Sequence, residues 1–371
     1  MTTEVAPIGN ESLNWSSALQ YEDGWEVDIT YRNVVDVIEG VTSPIIIGVG
    51  LAGNAVGSAS LLQVAGLRSR GIGHLLVAVC VSDAIFLASL LPMWIGRRYG
   101  SDYDLHNSDG WCELLSLTTM SSNFLSTWFT VALGVERYIA VRHSRRHAGR
   151  EELKPPTSKT SCGPTRTRVA IVALTVLAIV VFVNMVVNIG VVNRGDGVFH
   201  CAPLSSAVDA MTVLTNIDLV VNVIAPNLII TGLYTVIGVR LAVLRCRRGR
   251  AISRMAPPIP RRASGDDDGS LCPTEVRLTR SAFLLSVVVV LLSAPSDAVR
   301  TAHIVAAVFR LPISSWIGGS VVHLLVLELS YARFAVPFFV VVASHSRIRR
   351  SIFLSVRLAL ESIWKRFTQV A

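Results

Sequence analysis

A carboxylate and a guanidinium stand side by side at the end of a long, nearly uncharged stretch of this chain. Glu136 and Arg137 follow the apolar run that closes at Leu133, and Tyr138 comes next. A carboxylate beside a guanidinium forms a charge-assisted hydrogen bond, one of the stronger polar contacts in proteins. The pair is therefore either a stop signal at the edge of a membrane span or a functional site of the protein.

Other ionisable residues lie inside apolar stretches. Asp83 is one, and the later stretches contain Asp218, Asp297, Arg300, His303, His323 and Glu328. A charge inside a bilayer is costly and is a functional-site hypothesis by default. Asp297 and Arg300 are three residues apart, so on one helix they are expected to satisfy each other in part. Internal pairs that only hold helices together are the alternative interpretation.

Seven apolar stretches are long enough to cross a bilayer. The chain is 51% hydrophobic and only 16% charged, whereas about a quarter of a soluble domain is charged. A helix needs about 20 apolar residues to span the hydrocarbon core. The sequence thus predicts an all-α membrane protein, a seven-transmembrane helix bundle. The predicted spans are Ser43–Ala65, Gly73–Ile95, Leu114–Leu133, Val169–Val192, Leu219–Val239, Ser281–Val305 and Ile317–Val342.

The basic residues give the orientation. With seven spans, the loops on one side hold 27 of the 34 Lys and Arg residues, and those on the other side hold five. Basic loops stay in the cytosol, so the N-terminus is predicted outside and the C-terminus inside. The net charge of +8 then lies mainly on the cytosolic loops, which face anionic lipid, and not on a nucleic-acid-binding surface. Residues 1–40 carry eight acids and two sequons, at Asn10 and Asn14, which favours a disordered, glycosylated extracellular segment.

Two of the six cysteines fall on the outer side. Cys112 precedes span three and Cys201 precedes span five. Only this pair meets an oxidising compartment, so a Cys112–Cys201 disulfide is predicted to tie span three to the loop before span five. Two unpaired thiols are the alternative. We find neither a Cys/His cluster with zinc spacing nor a catalytic constellation, and we predict no cofactor and no enzymatic activity.

The spacing of these features matches a known family. Cys112 and Arg137 are 25 residues apart, about 37 Å along a helix, which is close to a bilayer core plus one interface. Seven spans, an outside N-terminus, an outer cysteine pair and Glu-Arg-Tyr at the inner end of span three together resemble the rhodopsin-like (class A) G-protein-coupled receptors from about Val41 to Phe353. Further matching positions are Gly53-Asn54, Ser82-Asp83, Ser126, Pro226, Tyr234, Glu275 and Pro295.

The resemblance implies a switch at the inner ends of the helices. At rest Arg137 pairs with Glu136 and with Glu275 at the base of span six. Agonist binding outside moves span six, which frees Arg137 to meet the G protein and Tyr234, and Tyr138 belongs to the same coupling set. A ligand shifts this balance only by its differential affinity for the two states.

The resemblance also implies a polar centre in the middle of the membrane. A sodium ion held by Asp83, Asn54 and Ser126 is one expectation, and a protonated Asp83 in a hydrogen-bond network is the other. At the far end, residues 344–371 follow the receptor domain of residues 41–343 and read as an amphipathic helix and cytosolic tail. The apolar stripe recurs at helical spacing through Ile348, Ile352, Val356, Leu360 and Phe367.

The match departs from the family pattern in spans six and seven. Ser293 stands where a tryptophan is usual, and Pro337 is the one remnant of the Asn-Pro-x-x-Tyr motif. Two registers of span seven, one residue apart, fit equally well. The sequence "AVPFFVVV" resembles a variant found in many invertebrate neuropeptide receptors.

A peptide is the first ligand hypothesis. The outer halves of the spans combine acidic and basic groups, which suits a peptide carrying a cation. The predicted ligand-binding residues are Thr119, Asp218, Asp297, Arg300, His303 and His323. Thr119 stands where amine receptors carry an aspartate, which counts against a monoamine, and span seven has no lysine for a retinal Schiff base.

The sequence therefore predicts a plasma-membrane neuropeptide receptor that activates a heterotrimeric G protein, with arrestin and receptor kinases as further partners. A receptor of the same fold for a small chemosensory molecule is the alternative hypothesis, and a transporter is the third. No internal repeat of the kind seen in duplicated transporters is visible.

Overall fold

A computed structural model of the chain describes residues 35–63, 71–99, 109–147, 164–193, 199–204, 207–254, 273–309 and 321–344, together with Arg349, Arg357 and Glu361. All structural statements below concern these residues. The predicted glycosylation sites Asn10 and Asn14 lie outside them, as does most of the predicted C-terminal amphipathic helix. Arg357 Nε donates to Glu361 Oε1 at 2.9 Å, a contact between positions i and i+4.

The described residues form eight helices and one antiparallel strand pair. In chain order the elements are α1 (Val35–Gln63, with π-helical Ile38–Thr42), α2 (Gly71–Tyr99), α3 (Asp109–His147), α4 (Pro164–Val186), β1 (Ile189–Asn193), β2 (Phe199–Pro203), α5 (Val208–Asp218, π-helical Leu219–Ile224 and Ala225–Arg254), α6 (Pro273–Phe309), α7 (Val321–Ala332) and α8 (Val336–Ser344).

Most of these helices are long and apolar enough to cross a membrane. Within the described ranges five qualify, on α1, α2, α4, α5 and α6, and a sixth span results if α7 and α8 are one span bent by 48°. α3 is the longest helix at 39 residues but lies outside this apolar set. It packs against α2, α4, α5 and α6, so it faces protein more than lipid and needs less apolar surface.

Several hydroxyl groups of α3 donate to carbonyl groups of the same helix. The hydroxyl of Thr118 donates to the carbonyl of Leu114 at 2.7 Å, and that of Ser122 donates to the carbonyl of Thr118 at 2.6 Å. Thr130 makes the same contact with Ser126 at 2.9 Å. Bonds to the carbonyl four residues earlier remove the cost of placing a polar group away from water. A helix rich in Ser and Thr is therefore stable at the centre of the bundle.

Two predicted spans end differently in the structure. Span four was expected to run to Val192, but α4 ends at Val186 and the chain enters β1. An uncharged, β-branched stretch fits a buried strand as well as a helix, so composition did not separate the two. Span seven was expected as one helix over Ile317–Val342, but the chain turns between Ala332 and Val336.

The strand pair lies at the N-terminal end of α3, which is the end predicted to face outside and is called the outer end below. β1 and β2 are antiparallel, with Val191 opposite Cys201, and β1 packs against α3. The predicted disulfide is confirmed: Cys112 and Cys201 are bonded, with their Cα atoms 5.7 Å apart. The bond fixes β2 to the first turns of α3. The sequence did not predict the strand pair.

Glycines let α1 approach its neighbours closely. A Cβ atom added at Gly53 would meet Phe338 Cδ1 at 2.9 Å and Phe338 Cβ at 3.1 Å. The second of these atoms is next to the backbone of α8 and cannot rotate away. At Gly48, on the same helix, an added Cβ meets nothing within 4 Å.

This difference predicts that Gly53→Ala destabilises the bundle and Gly48→Ala does not. Overpacking of a dense interface costs about 1–3 kcal/mol, and α8 has to move away from α1 to accept the extra methyl group. Thermal unfolding of the purified variants measures the effect. Equal unfolding temperatures for the two variants contradict the packing described here.

Candidate functional sites

The predicted ion pair lies at the inner end of α3. Arg137 donates to Glu136 Oε2 through Nε at 2.8 Å and through Nη2 at 2.6 Å. The side chains are 1% and 5% exposed. Taking two charges out of water is expensive, and this cost is recovered only where the geometry is good and the remaining polar atoms are satisfied. Removing one partner of such a pair leaves an uncompensated buried charge.

Helices α5 and α6 surround this pair. Tyr234 of α5 is buried, and its ring packs edge-on against Phe283 of α6, with the ring centres 5.5 Å apart. The charges of Arg137 and Glu136 both act on the Tyr234 hydroxyl. Tyr138 accepts a hydrogen bond from Arg240 Nη2 at 3.4 Å, and the same guanidinium lies over its ring at 4.9 Å. The inner end of α3 is therefore held by α5 and α6 together.

The third member of the predicted switch stays a prediction. Glu275 lies on α6, but its side chain lies outside the described residues. Its contact with Arg137 is therefore kept as an expectation.

The predicted polar centre contains an arginine that sequence reasoning had not assigned to it. Asp83 is 1% exposed on α2, and the groups that act on its carboxylate include Ser126 and Arg333. Asn54, predicted as a third neighbour, donates its amide to the carbonyl of Phe334 at 2.8 Å. Arg333 donates to Asn123 Oδ1 on α3.

The polar groups around Asp83 suit a sodium ion in one respect and oppose it in another. Their oxygens are the ligand type that hard cations prefer, and Asn54 Oδ1 and both Asp83 oxygens are buried without a hydrogen-bond partner of standard geometry among the described residues. However, Arg333 brings a permanent positive charge to the same centre. A second cation beside a guanidinium is disfavoured, so the residues present do not fit sodium.

At the outer end, the predicted ligand-binding residues fall into different surroundings. Arg300 pairs with Asp218 of α5, and Asp297 accepts a hydrogen bond from Asn227 of α5 at 3.2 Å. Asp297 and Arg300 were expected to satisfy each other in part on α6, but the structure gives each of them a partner on the neighbouring helix α5. These contacts hold α6 against α5.

Thr119 and Glu328 are engaged within the bundle. The Thr119 hydroxyl is within hydrogen-bond distance of two acceptors, Ser89 Oγ of α2 at 2.8 Å and the carbonyl of Leu115 at 2.7 Å, and it donates its one proton to either of them. Ser43 of α1 donates to Glu328 of α7. Both residues therefore tie helices together, which matches the alternative interpretation of the in-span polar groups.

The two histidines are close to each other on α6 and α7. His303 and His323 are partly buried, and they interact electrostatically. His303 Nε2 and His323 Nδ1 have no hydrogen-bond partner within the described part of the chain. These two nitrogens are therefore buried hydrogen-bonding groups at the packing of α6 and α7.

The geometry defines a bundle of helices apolar enough to span a membrane, with the buried Glu136–Arg137 ion pair at one end and polar side chains at the other. Residues 60–346 match the family model described as 7 transmembrane receptor (rhodopsin family). The chain belongs to this family. It is therefore a multi-pass, seven-transmembrane protein that responds to an extracellular ligand and signals through G proteins.

Proposed function

We propose that the chain is a plasma-membrane receptor for an extracellular neuropeptide, with its N-terminus outside, and that Arg137 is the switch that reports binding to the G protein. The observation that carries the ligand class is the mixture of polar groups at the outer end. Asp297, His303 and His323 present acidic and imidazole groups from α6 and α7. A peptide offers backbone donors, backbone acceptors and charged side chains to meet all of them.

The chemistry near Thr119 supports a peptide over a small amine. The Thr119 hydroxyl is neutral and already bonded to Ser89, so this part of α3 offers no carboxylate for an ammonium group. The carboxylate of Asp218 is bonded to Arg300. Asp297 remains as a partly buried carboxylate with one hydrogen bond from Asn227, and it is the group we expect a basic peptide side chain to approach.

The test is a signalling screen of cells expressing the full chain against amidated peptides with and without a basic residue. A peptide agonist is expected to activate the unaltered receptor and Arg142→Ala, and to fail on Arg137→Ala. Arg142 lies on the same helix but is exposed, so it controls for loss of one positive charge. Agonist signalling that survives Arg137→Ala contradicts the proposed switch.

A matched pair of aspartates tests the ligand site. We expect Asp297→Asn to lower the potency of a basic peptide agonist about tenfold, which is about 1.4 kcal/mol of lost attraction, and to spare a neutral analogue. Asp36→Asn serves as the control, because Asp36 forms an exposed ion pair with Arg98 at 3.6 Å. Equal potency losses for the basic agonist and its neutral analogue contradict the role of Asp297 in binding a basic side chain. Activation by small non-peptide molecules alone favours the chemosensory alternative.

A further inference from the structure

We propose that the guanidinium of Arg333 is the resident counter-cation of the Asp83 centre, and that this receptor consequently does not bind sodium there. The proposal concerns the middle of the membrane and does not depend on the identity of the agonist. It replaces the sodium site expected from the sequence with a charge that belongs to the chain itself.

The backbone places Arg333 at the point where α7 gives way to α8. Phe334 N donates to the carbonyl of Tyr331 at 3.1 Å, and Ala335 N donates to that of Ala332 at 3.0 Å. These turn contacts interrupt the helix, and the axes of the two helices differ by 48°. The interruption gives Arg333 a position inside the bundle that a straight lipid-facing helix would not offer.

A hydrogen bond to α3 and the face of an aromatic ring fix the guanidinium. Arg333 Nη2 donates to Asn123 Oδ1 of α3, and Arg333 Cζ lies 4.4 Å from the centre of the Phe334 ring. That ring in turn stacks on Phe86 of α2 at 3.8 Å. An arginine held by a hydrogen bond and an aromatic face has lost most of its rotamer freedom, so its charge is a permanent feature of the centre.

Two carboxylates lie within the field of this charge. Asp83 on α2 and Asp297 on α6 both act electrostatically on Arg333. Asp297 has a hydrogen bond from Asn227, whereas neither Asp83 oxygen has a partner of standard geometry among the described residues, and the same holds for Arg333 Nε. The Asp83 carboxylate and Arg333 Nε therefore have complementary charge and lie in one centre.

Arg333 and Asp83 are not in direct contact. Their attraction acts across a gap between the two side chains, and Ser126 also acts on the Asp83 carboxylate. Water suits this gap, because it donates to both carboxylate oxygens and accepts from Nε. A sodium ion suits it poorly, since it would bring a second positive charge beside a fixed guanidinium.

The experiment follows thermal unfolding of the purified, full-length receptor in sodium chloride and in N-methyl-D-glucamine chloride at equal ionic strength. A ligand that binds only the folded state raises the unfolding temperature with its concentration. We expect no difference between the two salts for the unaltered chain. Arg333→Ser is expected to gain a sodium-dependent rise, and adding Asp83→Asn is expected to abolish that gain.

Arg300→Ser is the matched control, because Arg300 is also an in-span arginine but pairs with Asp218 at the outer end. It should stay indifferent to sodium. A sodium-dependent rise in the unaltered chain overturns the proposal. So does a folded Arg333→Ser variant that gains no sodium response.

A second measurement covers the case in which Arg333→Ser does not fold. Asp83→Asn in the otherwise unaltered chain removes one of the two carboxylates that act on the guanidinium, so the unfolding temperature of this variant is expected to fall in both salts. An unfolding temperature that stays the same or rises overturns the assignment of Arg333 as the counter-cation. Arg333→Lys keeps the charge and is expected to remain indifferent to sodium.

Discussion

Replacing Glu136 with glutamine is expected to raise ligand-independent G-protein signalling about tenfold, which corresponds to a shift of about 1.4 kcal/mol between resting and active states. Glu136 accepts two hydrogen bonds from Arg137, and the two side chains are 5% and 1% exposed. Glutamine keeps the size of the side chain but removes the charge.

The expected direction follows from where Arg137 can find another partner. Breaking one side of a buried ion pair costs about 3–5 kcal/mol, and this cost falls on the arrangement in which the guanidinium is buried. An arrangement that exposes Arg137 to the G protein is spared part of it. Only the difference between the two arrangements shifts the population.

Nucleotide exchange on the G protein, measured in membranes at matched receptor density without ligand, checks this prediction. Glu113→Gln, near the outer end of the same helix, controls for the loss of a negative charge on α3. The combined variant Glu136→Gln with Arg137→Ala should return to low signalling. Unchanged basal signalling in Glu136→Gln, at normal receptor density, contradicts the role of the Glu136–Arg137 ion pair in holding the resting state.

Breaking the Cys112–Cys201 disulfide is expected to cause the largest loss of stability. The bond joins residues 89 apart in sequence, and closing a loop of this size stabilises a protein by about 4–5 kcal/mol in the chain-entropy model, with about 2–4 typical. Cys112→Ser is therefore expected to lower both the unfolding temperature and the amount of receptor at the cell surface.

Comparison of three variants isolates the bond from the packing of each side chain. Cys112→Ser, Cys201→Ser and the double variant all remove the same bond, so they should be similarly unstable. Cys80→Ala serves as the control, because Cys80 is a buried free cysteine. It should lose far less stability. A double variant whose loss equals the sum of the two single losses contradicts a shared bond.

Properties that depend on long stretches of the chain were predictable from the sequence. Apolar runs gave the spans, because crossing a bilayer requires about 20 such residues wherever they pack. The distribution of basic residues gave the expected orientation. The outer disulfide was predictable because only Cys112 and Cys201 were expected outside, and the structure contains that bond.

Properties that depend on contacts between distant helices were not predictable. Arg300 was expected to pair within its own helix, but its partner Asp218 lies 82 residues away on α5. Arg333 was visible as an arginine within a span, but its contact with Asn123 joins residues 210 apart. A single sequence shows how residues are spaced along one helix, but it does not show how one helix is rotated against another.

Local backbone irregularities were missed for a related reason. The end of α4 at Val186 and the turn after Ala332 fall within apolar sequence, where a helix continues without penalty as far as composition is concerned. The helix α4 ends at Val186 because β1 packs against α3 and because β2 is bonded to α3 through Cys201. Tertiary structure overrides the local pattern there.

The π-helical segment Leu219–Ile224 has a consequence for any comparison of α5 with other receptors. A π-turn accommodates one more residue than an α-turn, so the outer part of α5 is rotated by roughly 100° relative to a uniform α-helix counted from Pro226. Counting backwards from that proline therefore assigns Asp218 to the wrong face of the helix. Ligand-contact positions counted along a uniform α-helix will be one place out above Leu219 in this receptor, so they should be transferred by superposing backbones instead.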